Sequence, residues 1–118
     1  MAKLLGRAWI EKDGQVLRTN EGATLELGGI ASETKVGNNA VLGHTESIVP
    51  GAVECQVSLA EGDRVSDFRG SGLVISFRAD TGQRFIVRDA VLMNPPQMTD
   101  GDGGAIPLRY EGQPAEEV

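Results

Sequence analysis

The stretch from Leu73 to Met93 constrains the fold more than any other part of the chain. Leu73, Ile75 and Phe77 alternate with Val74, Ser76 and Arg78, the two-residue period of a strand with one buried face. Asp80-Thr81-Gly82 then supplies a turn, because Asp can bond its own downstream backbone and Gly tolerates positive φ. Beyond it Phe85, Val87, Val91 and Met93 share one parity and Arg84 and Arg88 take the other, so the pattern predicts a second strand returning beside the first. Asp89 breaks the apolar parity. A carboxylate buried without a partner is costly, so a bulge or an exposed end is expected there rather than a functional contact.

The rest of the chain reads as further short strands. Arg7 to Glu11 is β-prone and runs into Asp13-Gly14, a hairpin signal that makes Val16-Leu17-Arg18 the expected partner strand. Trp9 is either a ligand platform or, as expected for a large aromatic near the end of a small β domain, a lid on the core. Ala23 to Leu27 places Leu25 and Leu27 on one face, and Thr24 and Glu26 on the other. Val53, Cys55, Val57 and Leu59 alternate with Glu54, Gln56 and Ser58 in the clearest half-buried strand of the sequence. From Asp63, which can act as a cap, a short helix is expected to carry Val65 and Phe68 on one face as far as Gly70. Asn94-Pro95-Pro96 leaves the sheet, Ala105 to Tyr110 forms a last short strand, and Glu111 to Val118 is a polar tail expected to fray. With 16 glycines and only five aromatics in 118 residues, the composition favours many short strands joined by turns over a core of Val, Leu and Ile.

One domain spanning 1–118 is expected from this length. No apolar run reaches the roughly 18 residues of a membrane span, and Met1-Ala-Lys-Leu-Leu-Gly lacks a signal-peptide core, so a cytoplasmic protein is expected. The lone Cys55 excludes an internal disulfide and a cysteine metal cluster, and is expected in the core. A net charge of −6 argues against nonspecific attraction to nucleic-acid phosphates. His44, the one histidine, has no ligand or base partner at a suitable spacing. Asp100-Gly101-Asp102-Gly103-Gly104 looks like half a calcium loop but lacks the completing Glu, and paired carboxylates in a loose loop cannot hold a mechanism. No catalytic or metal-binding residue and no cofactor is assigned, and the chain reads as a non-enzyme. The stretch Ile30 to Ser47, of mixed polarity and with a turn-like Gly37-Asn38-Asn39, shows no core face. It is expected to be either a mobile excursion or a segment whose Val36, Val41 and Leu42 are covered by another subunit.

The order of these features resembles the tail tube proteins of contractile-tailed, Mu-like bacteriophages. The resemblance is carried by the Asp13-Gly14 hairpin, Gly28-Gly29, Val41-Leu42-Gly43-His44-Thr45-Glu46, and Pro50-Gly51 before Val53 to Val57. It continues in Asp80-Thr81-Gly82-Gln83-Arg84-Phe85, Val87-Arg88-Asp89-Ala90 and the closing Tyr110 to Glu117. It spans nearly the whole chain, although the helix at Asp63 to Phe68 is shorter and more polar than the family's usual run.

The resemblance implies a mainly β fold of packed antiparallel sheets, a sandwich or barrel with one short α-helix, akin to the tube protein of type VI secretion systems. It also implies hexameric rings stacked into a tube that conducts viral DNA without binding it specifically. The implied partners are further copies of the chain, the sheath, the tape measure protein, the baseplate hub and the tail terminator, in a virion tail assembled in the bacterial cytoplasm and not in a membrane. On this sequence the assembly loop would be 30–47, with Val36, Asn38, Asn39, Val41, Leu42 and His44 at the interface, and the tail would add Tyr110 and Pro114. Alternation alone offers Glu26, Glu54 and Gln56 as lumen-facing candidates. The competing expectation is a small β-barrel binding or adaptor module of a baseplate, although aromatics scattered from Trp9 to Tyr110 do not suggest its pocket.

Overall fold

The computed structural model of the chain describes residues 1–101 and 104–118. Its strands are β1 (Ala8–Lys12), β2 (Gln15–Val16), β3 (Thr24–Glu26), β4 (Gly29–Gly37), β5 (Ala40–Val49), β6 (Gly51–Val57), β7 (Leu73–Ala79), β8 (Arg84–Leu92), β9 (Ile106–Gly112) and β10 (Glu116–Glu117). All pairings are antiparallel, in the order β2-β1-β7-β8-β9-β6-β3, with β10 on β8 and with β4-β5 forming a separate hairpin. The expected mainly β architecture of packed antiparallel sheets is the one observed.

The β7–β8 hairpin forms as the alternation predicts, and β8 then passes from one layer to the other. Its first half pairs with β7 through Phe85 to Val87, and its last residues, Val91 and Leu92, pair with β9. Between them the register slips: Ile75 faces Val87, but Leu73 faces Ala90, which leaves one extra residue on β8. Asp89 sits in this bulge with φ 53°, as its break in the pattern suggested. The bulge also inverts the parity. Ala90 is buried and Leu92 turns inward, whereas Val91 and Met93, read in the sequence as inward, are exposed.

The two layers face each other across one core. Ile10, Ile75, Phe77 and Val87 come from the first, and Val53, Cys55, Val57, Ile106, Leu108 and Tyr110 from the second. A strap after β2 ties the layers at a second seam, where the Leu17 amide donates to the Ile10 carbonyl and the amides of Asn20 and Ser58 bond to Gln56 and Arg18. This strap replaces most of the expected partner strand, since only Gln15 and Val16 pair with β1, and Val16 is exposed. Leu25 packs against the core, but Leu27, placed with it by alternation, is exposed beyond the end of β3.

Three expectations are corrected. The helix is only a 3-10 turn, Val65–Phe68, and Asp63 does not cap it: its carboxylate accepts from the Ala60 amide and pairs with Arg18. Four residues are too few to repay α-helix nucleation, and side chains three apart stack as well in a 3-10 turn. The tail does not fray. The amides of Gln113, Ala115 and Val118 donate to the carbonyls of Arg88, Leu27 and Arg84, and β10 pairs with β8. Gly112 permits this packing, because a Cβ there would lie 2.4 Å from the Arg88 carbonyl oxygen. Finally, 30–47 is no irregular excursion but the regular β4–β5 hairpin, paired from Gly29↔Val49 to Gly37↔Ala40 around Asn38 and Asn39.

This hairpin projects as an arm. The molecule measures 63 × 41 × 26 Å with a radius of gyration of 17.6 Å. A compact domain of this length would have a radius of about 13.5 Å.

Candidate assembly surfaces

The arm has two wet faces. Every residue of β5 and most of β4 are exposed, including Ile30, Val36, Val41, Leu42 and Ile48, the last two at 74 %. Short ion pairs decorate it: Lys35 Nζ lies 3.3 Å from Glu33 Oε1, and His44 Nε2 lies 3.2 Å from Glu46 Oε1. Asn39, with φ 66°, turns the tip, and a bulge at Lys35/Val36 twists the ladder just before it. At the root, Gly28 has φ +69°, and a Cβ there would lie 2.6 Å from the Pro50 carbonyl group, so the two strands cross too closely for any other residue.

The expected interface residues therefore separate. Val36, Asn38, Asn39, Val41, Leu42 and His44 lie exposed on the outer part of the arm, and Pro114 is half-buried where the tail passes Gly51. Tyr110 is corrected: it is 0 % exposed, and its hydroxyl donates to the Phe68 carbonyl at 2.6 Å. As an inward residue of β9 it belongs to the subunit's own core, not to its surface.

Glu26, Glu54 and Gln56 share the outward face of β3-β6-β9. Pairing places Thr24, Glu54 and Arg109 in one row, and Glu26, Ala52 and Glu111 in the next. Arg109 is the hub. Its guanidinium reaches Glu26 and Glu54 at 3.0 Å each and Glu111 at 3.4 Å. Hydrogen bonds to Glu26 and Glu54, reinforced by their charge, raise the Arg109 pKa further above its already high range. One guanidinium thus answers three carboxylates, and because Glu111 offsets Arg109 the face stays as acidic as Glu26 and Glu54 alone suggested. Asn94 steadies the edge of β9, donating to the Pro107 carbonyl and accepting from the Arg109 amide, both at 3.2 Å. Arg109 and Glu111 were missed in the sequence, yet their alternation with Leu108 and Tyr110 carried the signal.

The cleft of about 480 Å³ beside this face is lined by Glu54, Gln56, Met93, Asn94 and Arg109, with no nucleophile paired to a base. Among the described residues no group of three or more His, Cys, Asp and Glu is arranged to hold a metal ion. The half calcium loop and the Asp100/Asp102 pair depend on Asp102 and Gly103, which lie outside the described residues. Cys55 is 5 % exposed, and burial pushes its thiol pKa up to about 11, as suits an inert core residue.

The family described as phage tail tube protein matches residues 1–117. The chain belongs to that family. No curated protein matches its sequence. As a phage tail tube protein it is a structural component of the virion, and no helix among its described residues is long and apolar enough to cross a membrane.

The remaining surface feature of this tail tube protein lies on its other sheet. Trp9 is not the expected lid on the core. It stands on the face of β1 opposite Ile10, with the Arg7 and Arg78 guanidinium carbons 5.7 Å and 5.0 Å from its ring centroid.

Proposed function

We propose that this tail tube protein closes into six-membered rings that stack into the hollow inner tube of a contractile tail, the conduit for viral DNA at ejection. The role is structural and not enzymatic. The arm carries the reading: a long, regular hairpin with exposed Ile30, Val36, Val41, Leu42 and Ile48 has no use within one subunit and fits a seat on the next. In the tube, the β3-β6-β9 face turns toward the lumen. Its acidic excess around Arg109, repeated in every subunit, repels phosphate and lets DNA pass without sticking. The tail around Pro114 adds a second contact, and the sheath, tape measure protein, baseplate hub and tail terminator complete the assembly.

The test is negative-stain microscopy of purified protein over a concentration series, with light scattering for mass. Six-membered rings or hollow tubes are expected. Protein that stays monomeric at every concentration, even with a tail nucleus added, overturns the reading in favour of a small binding or adaptor module.

A further inference from the structure

The outer face of β1-β7-β8 concentrates positive charge in a chain whose net charge is −6. Trp9 stands opposite Arg78 across the β1–β7 ladder, and Arg78 opposite Arg84 across β7–β8, so an indole and two guanidiniums form one row, with Arg7, just before β1, closing on the indole. Like charges directly opposite one another weaken an antiparallel pair. Among the described residues neither Arg78 nor Arg84 has a carboxylate within ion-pair distance.

The nearby acids are occupied or stand aside. Asp80 accepts from the Gly6 amide and lies 4.0 Å from Arg7, and Glu116 holds Arg88 at 3.1 Å. Glu11 follows two residues after Trp9 on β1, and Glu21 lines the cleft beside Arg7 and Trp9. Trp and Arg are the side chains most enriched at the energetic centres of protein interfaces, and a guanidinium binds a carboxylate through two parallel hydrogen bonds.

The geometry points to the Trp9–Arg78–Arg84 row as the docking surface for a protein that jackets the tube and presents carboxylates to it. This rests on the tube reading, in which β3-β6-β9 faces the lumen and the opposite layer faces outward. Charge complementarity selects the occupant: a cluster of carboxylates relieves the Arg78–Arg84 repulsion, whereas a long polyanion lying along the surface meets the acidic remainder of the chain.

Trp9 is the only tryptophan, so its fluorescence reports on the row directly. The full chain is titrated with a hexaglutamate peptide and, separately, with a six-nucleotide single strand, in about 0.1 M salt, where the Debye length of about 10 Å screens distant charges. The expected result is a saturable change in emission with hexaglutamate, at least about fivefold weaker binding in the Arg78→Gln/Arg84→Gln variant, and loss of binding near 1 M salt, where the Debye length is about 3 Å. No emission change, equal affinity in the variant, or a preference for the oligonucleotide overturns the proposal. Microscopy of the same folded variant separates the two readings. The variant is expected to assemble like the parent chain. If it alone fails to assemble, the row is a contact between copies and the docking proposal falls. If the parent chain also makes no rings or tubes, the tube reading falls while the peptide result still stands.

Discussion

Replacing Tyr110 with Phe tests the placement that differs most from the sequence reading. The hydroxyl lies in a fully buried side chain, 2.6 Å from the Phe68 carbonyl, and it ties β9 to the 3-10 turn. Removing it leaves that carbonyl without its donor while the ring still fills the core. Loss of one partner of a buried hydrogen bond costs about 1–3 kcal/mol, and the upper part of that range is excluded here because the turn has exposed neighbours that let water reach the carbonyl; about 1–2 kcal/mol is expected. For a domain of this size each kcal/mol moves the melting temperature by roughly 4 °C, so thermal unfolding followed by circular dichroism should show a fall of about 4–8 °C. Tyr110→Ala should cost about 3–5 kcal/mol through the cavity it opens, a large part of the stability of a small domain. Tyr110→Phe should nevertheless assemble like the parent chain. An unchanged melting temperature with lost assembly would refute the reasoning, because it would put the hydroxyl against a neighbour and not against Phe68.

Other substitutions probe the remaining surfaces. Val41→Glu/Leu42→Glu changes exposed positions of the arm, so stability should stay within about 0.5 kcal/mol of the parent, while sedimentation should show no tubes; tubes of normal length would dismiss the arm as the contact. Gly28→Ala should destabilise by about 1 kcal/mol or more, since it forces a Cβ into the Pro50 carbonyl at positive φ, and a neutral result in a melting experiment would contradict the close crossing. Cys55 should react with a disulfide reagent at pH 8 at least about a hundredfold more slowly in the folded protein than in denaturant; equal rates would place the thiol at the surface. Asp80 is partly desolvated, which raises its pKa, but the Gly6 and Arg7 amides and the charges of Lys3 and Arg7 outweigh this and hold it below its ordinary 3.8. Its folded pKa is depressed, so its contribution is complete above pH 3.8 and is lost as pH falls through the lower folded value. Hydrogen exchange of residues 1–6 should therefore rise below that pH in the parent chain, and Asp80→Asn should show the faster exchange already at neutral pH. Identical profiles would remove Asp80 as the anchor of the N-terminal segment.

The parts of the fold that could be read in the sequence are those with one dry face. In β6 and β7 the contrast between buried Val53, Cys55, Val57, Phe77 and Ala79 and the exposed Glu54, Gln56 and Arg78 between them is the physical cause of the alternation, so there the pattern and the structure carry the same information. The arm lacks that contrast. Its hairpin is held by cross-strand bonds between two wet strands, and such pairing leaves no two-residue hydropathy period to find. Asp89 announced a bulge through its own chemistry, but the inversion of parity that follows depends on which partner strand takes over, and β9 begins 17 residues beyond Asp89. Arg109 escaped for a related reason. Glu26 and Glu54 could be read as one face from their own strands, whereas the cation between them arrives from β9, more than fifty residues after Glu54, and only the register reveals it.

Under the proposed tube reading, the arm explains why assembly has to be seated and not open-ended. Each of its strands pairs on one side only, so two long edges of unpaired amides and carbonyls stand in solvent beside Val41, Leu42 and Ile48. Such edges invite pairing with any extended chain, and natural sheets blunt them with charge and bulges. The Glu33–Lys35 and His44–Glu46 pairs, with the bulge at Lys35/Val36, are devices of that kind. They raise the cost of indiscriminate strand addition while leaving the apolar side chains free to enter a complementary seat. An arm on one surface and a seat on another make a contact that is not its own mirror, and a contact of this type either closes into a ring or propagates as a filament. A tube needs both outcomes at once, closure around the axis and propagation along it. In the proposed tube the outer part of the arm and the tail around Pro114, which packs at the arm's root beside Leu27 and Gly51, are the two separate contacts for those two tasks. Disrupting one should leave the product of the other, so stacked but open fragments from one variant and isolated rings from the other are the pair of outcomes that this division of labour demands.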